Sequence, residues 1–244
     1  MLTPRIFVGH DVHALAPGGD YVLSEAAARH VAQALRMRTG DALALFTGTG
    51  GEYATTIVRI ERREVVVRVD RHEALERESP HEMTLAPSMI AAEMMDWVVR
   101  KSVELGVAAI VPLRAARSQA VAADRVTRRA AHWRQIAIAA CEQCGRNRVP
   151  RIADVVPFVE WVQSADASMV ILDGDAPRSL VAQAQVALPR AIAVGPEGGF
   201  TAEELQSAKA RGASAVHLGG RVLRAETAAI AALATLEAIA GDAN

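Results

Sequence analysis

Two stretches of the chain combine glycine with charge in a way that could hold a ligand and act on it. In "LGGRVLRAETAAIAAL", residues 218–233, Arg221, Arg224, Glu226 and Thr227 fall between a glycine pair and a strongly apolar helical run. Charged residues crowded at one strand end beside a second Gly-rich strand end suggest one shared pocket, although a helix-start decoration, with Glu226 on the N-terminal dipole, explains the same residues. In "AVGPEGGFTAEEL", residues 193–205, Gly195, Pro196, Gly198 and Gly199 surround a lone Glu197. Thr201 and Glu204 then stand at capping-box spacing, which predicts a well-specified helix start, stabilised by about 1 kcal/mol per cap. Glycines ahead of a helix start let a ligand approach bare amides, although a plain turn explains the same residues. The spacing fits neither a dinucleotide fingerprint nor a P-loop.

A third stretch, "CEQCGRNRVPR", residues 141–151, carries Cys141 and Cys144 as C-x-x-C at a helix end. No second pair and no histidine at ligand spacing accompany it, so zinc fails on ligand count. A thioredoxin-like site would need a strand followed by a helix start, so the cysteines read as structural or incidental. More informative are Arg125, Arg128, Arg129, Arg134, Arg146, Arg148 and Arg151, a local basic concentration that is either a solvated helix face or a contact for RNA phosphates. His81-Glu82 starts an H-E-x-x-H pattern, but position 85 is Leu. No G-x-S-x-G elbow is present, so acyl transfer has no support. Met83, Met89, Met94 and Met95 read as core filling.

The elements that must position these residues follow from the patterning. From Arg5 to about His72 the segments are short and β-like: "ALALFTG", "EYATTIVRIE" and "EVVVRVD", joined by Gly-rich turns, suggest a small barrel or sandwich. One helix interrupts them, "EAAARHVAQALRM", capped by Ser24 and ending near Gly40. The charged stretch 71–82 with its proline reads as a linker. Beyond it strands alternate with helices. "MTLAP", "VAAIVPL", "MVILD", "AIAVG" and "AVHLG" are the strands, and helices run through 90–105, 124–144, 201–212 and 225–241. That alternation predicts a mostly parallel sheet covered by helices, with ligands at the carboxyl ends of its strands.

The 244 residues carry a formal net charge of −1, 51% hydrophobic residues and only 4% aromatics. This balance excludes a wholly basic nucleic-acid coat and leaves few stacking platforms for single strands. No apolar run reaches the length of a membrane span, and the start of the chain lacks a signal-peptide pattern. With two cysteines, a reducing cytoplasm is expected.

Taken together, "VGPEGGF", "LGGRVLRAETAA", "VVRKSVELGVAAIVPL" and "IAIAACEQCGRNRVP" closely resemble the ribosomal RNA small subunit methyltransferase E family, of the SPOUT class. The resemblance runs nearly end to end. It implies a small PUA-like RNA-binding β-barrel over residues 1–74 and an α/β SPOUT methyltransferase domain with a deep C-terminal trefoil knot over residues 75–244. It implies S-adenosylmethionine as cofactor, held by Leu172, Gly195, Pro196, Glu197, Gly198, Gly199, Leu218, Gly219, Val222, Leu223, Arg224 and Thr227. Arg224 and Glu226 are the catalytic candidates. Arg117, Arg125, Arg128, Arg129, Arg146 and Arg148 are the candidate RNA contacts. The implied reaction is methylation of N3 of one uridine in 16S rRNA, with 16S rRNA or the small ribosomal subunit as partner. A homodimer in the cytoplasm is expected, with neither metal nor membrane.

One departure stands out. Ala91 and Met94 occupy positions where many members carry an Arg and a Lys. RNA contact would then pass elsewhere, such as the Arg125–Arg151 cluster, or the substrate would be another RNA. A non-catalytic RNA-binding module would keep the barrel and the basic cluster without needing the glycine loops. A nucleotide-dependent enzyme of another class would prefer NAD or ATP.

Overall fold

A computed structural model describes residues 3–9, 15–62, 64–119, 123–165 and 168–241, with the backbone alone for 123–127. The chain divides into two compact units, Met1–Glu78 with Cys141–Val149, and Ser79–Ala140 with Pro150–Asn244.

The first unit is a five-stranded sheet in the order β1 (Arg5–Phe7), β3 (Ala42–Phe46), β4 (Glu52–Ile60), β5 (Val65–Glu73), β2 (Asp20–Val22). All pairings are antiparallel except β1 with β3. Alternation sets its faces: Val65, Val67 and Val69 are buried while Arg68 and Asp70 face water. The expected helix begins as read, with Ser24 Oγ accepting from Ala27 N at 3.3 Å. It is shorter than expected: α1 (Glu25–Arg29) passes into a π-helical turn, His30–Ala34, and Arg36 takes a left-handed φ of 53°. The supposed linker is also less free than its composition suggests. Residues 71–73 complete β5, and Glu76, Arg77 and Glu78 are paired within the unit.

These pairs form a network around residues 145–148. Glu52 takes ion pairs from both Arg5 and Arg77, and the latter also donates to the Gly145 carbonyl at 2.8 Å. Burial pushes the Glu52 carboxyl upward, but hydrogen bonds and charge from the two arginines outweigh it and hold it below the usual range. Glu142 goes the other way: burial raises it, only partly opposed by the Phe7 N–H it accepts at 2.9 Å. Both cysteines are free thiols. Cys141 is buried and donates to the Arg148 carbonyl at 3.6 Å, and burial pushes its thiol up to about 12, so it is a structural and unreactive group.

The second unit holds a six-stranded parallel sheet. Its order is β13 (Ser214–Val216), β11 (Met169–Leu172), β12 (Ala191–Val194), β6 (Thr84–Pro87), β7 (Ala109–Ile110), β9 (Arg151–Ile152). Every residue of β12 is buried, as expected for a parallel strand covered on both faces. The single strand read over "VAAIVPL" is split. Val111 and Pro112 separate β7 from β8 (Leu113–Arg114), which pairs instead with β10 (Val156–Pro157). Pro112 has no N–H to continue a ladder. The helices of this unit are α2 (Ala92–Glu104), α3 (Ala123–Cys144, whose last turn counts with the first unit), α4 (Phe158–Ser164), α5 (Leu180–Val186), α6 (Ala202–Ala210) and α7 (Ala225–Ala240). In α2, Met95, Val98, Val99, Ser102 and Val103 form one buried stripe. Met83 and Met89 are likewise in the core, while Met94 is half-buried. After β13, α7 packs against β12, β6, α2 and α5.

Candidate functional site

Three adjacent strands end side by side: β11 at Leu172, β12 at Val194 and β13 at Val216. The loops leaving them enclose a cavity of about 370 Å³ lined by residues 172–175, 194–197, 199, 216–223, 225 and 228. This is the carboxyl end of a parallel sheet, where such folds bind ligands, and the volume suits a small organic molecule.

The loop after β12 explains its own glycines. The Gly199 N–H donates to the Pro196 carbonyl at 2.8 Å, closing a turn. A Cβ on Gly195 would meet the Gly199 Cα at 3.2 Å and the Phe200 ring at 3.3 Å, and backbone there has little room to give. Gly199 itself has a φ of +68° with open space beside it. Phe200 anchors the loop, its ring centroid 4.6 Å from that of buried Phe158. The capping box forms in both directions: Thr201 Oγ1 accepts from Glu204 N at 3.2 Å, and Glu204 Oε2 accepts from Thr201 N at 2.9 Å.

Residues 115–118 brace this loop from behind. The second oxygen of buried Glu204 accepts from Ala116 N at 2.8 Å, and Arg117 Nη1 donates to the Gly198 carbonyl at 2.6 Å. The loop after β11 turns on Asp173, whose Oδ1 accepts from Asp175 N at 3.2 Å. The loop after β13 is open: Gly219, Gly220, Arg221 and Val222 are exposed, with Gly219 at a φ of +118°. Asp173, Asp175 and Glu197 against Arg221 make a lining that favours a ligand bearing positive charge.

Of the expected cofactor contacts, Leu172, Gly195, Pro196, Glu197, Gly199, Leu218, Gly219, Val222 and Leu223 line the cavity. Gly198, Arg224 and Thr227 do not. A Cβ on Gly198 would meet the Arg117 side chain at 3.2 Å. Arg224 is the extended N-cap residue of α7, exposed, and its carbonyl accepts from Ala228 N at 2.8 Å. Thr227 is exposed on the first turn of that helix, and Glu226 is half-buried there. Both catalytic candidates therefore flank Ala225 at the cavity rim rather than line the cavity. Asp173, Asp175 and His217 line it and were not singled out from sequence. The turn "LDGDAP" after an apolar strand was the available signal for the two aspartates.

The basic residues separate into bound and available ones. Arg146 is a correction: it is only 4% exposed, and its guanidinium forks onto Glu78, so it serves the fold of the first unit and presents no surface to a phosphate. Arg148 pairs with Glu76 at 3.2 Å but stays exposed, while Arg134 bonds the Ile152 carbonyl at 3.1 Å. Arg117 is exposed yet engaged at Gly198. Arg128 is exposed and Arg129 half-buried, and the Arg125 side chain lies outside the described residues. Among the described residues no group of His, Cys, Asp and Glu could hold a metal ion, and no helix is long and apolar enough to cross a membrane.

Comparison with known proteins now decides the family. Residues 77–237 match the model of an RNA methyltransferase domain, and residues 23–70 match that of an RNA methyltransferase PUA domain. The methyltransferase E of Buchnera aphidicola from Acyrthosiphon pisum is 29% identical over 250 residues, 98% of this chain and 94% of that protein. The ribosomal RNA small subunit methyltransferase E of Mycobacterium bovis is 30% identical over 84% of this chain and 80% of its own. The chain belongs to the ribosomal RNA small subunit methyltransferase E family. Among solved structures, the Neisseria gonorrhoeae methyltransferase E bound to S-adenosylmethionine superposes with a TM-score of 0.89 at 32% identity, covering 100% of both chains. A Legionella pneumophila protein solved with bound S-adenosylmethionine gives 0.87 at 36% identity, covering 98% of both. The chain combines an α/β fold with a PUA domain.

Proposed function

We propose that this chain is an S-adenosylmethionine-dependent methyltransferase acting on N3 of a uridine in the 16S rRNA of the small ribosomal subunit. The observation that carries the reading is the cavity at the ends of β11, β12 and β13, walled by bare glycine backbone and lined by Asp173, Asp175 and Glu197. S-adenosylmethionine fits the donor set: its adenosine and methionine parts suit exposed amides and carbonyls, and its sulfonium suits an acidic lining. Leu172, Gly195, Pro196, Glu197, Gly199, Leu218, Gly219, Val222 and Leu223 would hold it, with Gly198, Arg224 and Thr227 acting from the rim. When bound, it supplies an electrophilic methyl group.

The chain's own residues supply position and charge. Orienting the two reactants contributes about 7–11 kcal/mol in well-organised sites. Uracil N3 must lose its proton, and negative charge then spreads over N3 and the two carbonyl oxygens beside it. Arg224, extended and exposed at the start of α7, offsets that charge, and Glu226 or Glu197 orients donor or base. N3 lies on the pairing edge, so the uridine is taken unpaired or flipped. Residues 1–74 form a PUA-like RNA-binding barrel and 75–244 the SPOUT domain. Arg117, Arg125, Arg128, Arg129 and Arg148 contact phosphates. A C-terminal trefoil knot is what the family resemblance implies for this domain. The active form is a cytoplasmic homodimer.

The test is transfer of a labelled methyl group to undermethylated small subunits and, in parallel, to naked 16S rRNA, followed by nucleoside identification. Label as N3-methyluridine is the expected result. Label on another RNA would move the substrate, and absence of transfer together with absence of cofactor binding would end the reading.

A further inference from the structure

We infer that His217 is a positioning residue that holds the 219–223 wall of the pocket through its ring. This rests on the reading of the cavity as the cofactor pocket. Its backbone is tied on both sides: His217 N donates to the Arg178 carbonyl at 3.0 Å, and its own carbonyl accepts from Leu180 N at 2.9 Å. With Asp173 N donating to the Val216 carbonyl at 2.9 Å, the end of β13 joins the loop after β11 to the start of α5. His217 is thus a fixed point, whereas residues 219–222 are exposed and begin with adjacent glycines.

Its ring reaches forward. Nδ1 accepts from the Gly219 N–H at 2.9 Å. Gly219 sits at a φ of +118°, a conformation that glycine adopts readily and other residues rarely do, and a Cβ there would meet nothing within 4 Å. The ring bond therefore selects one path out of the many a Gly-Gly pair allows, and the selected path carries Arg221, Val222 and Leu223 to the cavity. A backbone amide only donates, so Nδ1 must be the acceptor and a neutral ring keeps its proton on Nε2. While this bond holds, the ring has no lone pair with which to take the uracil proton. His217 orders the wall and is not the general base.

The arrangement resembles an Asx turn, in which Asn accepts from the amide two residues ahead, so Asn can replace the ring's bond. The experiment compares wild type, His217→Ala and His217→Asn in two measurements on the full-length protein. S-adenosylmethionine affinity by calorimetry should weaken about three- to tenfold in the Ala variant, the loss of one ordering hydrogen bond, and return with Asn. KM for the cofactor should follow while kcat holds. Amide exchange at Gly219 in the free protein should be slow in wild type and the Asn variant and fast with Ala. Equal exchange in all three would overturn the inference. So would an Asn variant as weak as Ala, which would mean that Nε2 contacts the ligand. If wild type binds no S-adenosylmethionine, the cofactor reading falls, and the exchange measurement alone decides the role of the ring.

Discussion

The two units handle charge in opposite ways. In the first, arginines and carboxylates that look free in sequence are spent on each other: Arg5 and Arg77 on Glu52, and Arg146 on Glu78. In the second, the cavity is lined by Asp173, Asp175, Glu197 and Arg221, and its walls are glycine backbone. Paired charge fixes a surface segment in place, whereas unpaired charge beside bare amides is available to a ligand. A run of arginines in sequence is therefore ambiguous until their partners are known.

Substitutions can break this contrast, beginning with the largest expected effect. Arg224→Ala should lower kcat for methyl transfer by about 10²–10³-fold, the range for losing one charge-stabilising donor, without changing the unfolding midpoint. Full turnover with normal RNA affinity would remove Arg224 from the chemistry. Gly195→Val should lower kcat/KM about 100-fold, because its side chain must displace the Gly199 backbone, and calorimetry should show lost cofactor affinity. Arg146→Ala belongs to the other region. It should reduce stability by about 2 kcal/mol in denaturant titration, since Glu78 loses its charged hydrogen bonds, while cofactor affinity is unchanged.

Three smaller effects sharpen the comparison. The Glu52 carboxyl is held low in the fold, so its contribution is present above the unfolded value near 4.5 and is lost as pH falls through the folded one. Glu142 is raised by burial, so it disfavours the fold at neutral pH and this is relieved as pH falls. Glu142→Gln keeps an acceptor for the Phe7 N–H and should raise the thermal midpoint at pH 7, with the gain vanishing in acid. Arg128→Ala should reduce the slope of log affinity for RNA against log salt by about 0.7, the share of one phosphate on a single strand. An unchanged slope would place RNA on another face.

Much of this was legible in sequence where local chemistry decided structure. The Thr201–Glu204 capping box, the Ser24 cap and the buried runs of β11 and β12 each follow from a few neighbouring residues. The grouping of the 195–199 and 218–223 loops followed from strand ends in a parallel sheet. Long-range partners were hidden. Nothing near Arg146 announces Glu78, and nothing near Glu204 announces Ala116. The end of the first helix in a π-helical turn and the early break of "VAAIVPL" depended on packing and on one proline. Arg224, Glu226 and Thr227 carry the motif, yet the backbone sets them at the rim, while His217 carries no motif and lines the cavity.

The most direct test is a crystal structure of this chain grown with S-adenosylmethionine. The account predicts cofactor density between residues 172–175, 195–199 and 217–223. Density elsewhere on the chain, or an empty cavity at saturating cofactor, would contradict it.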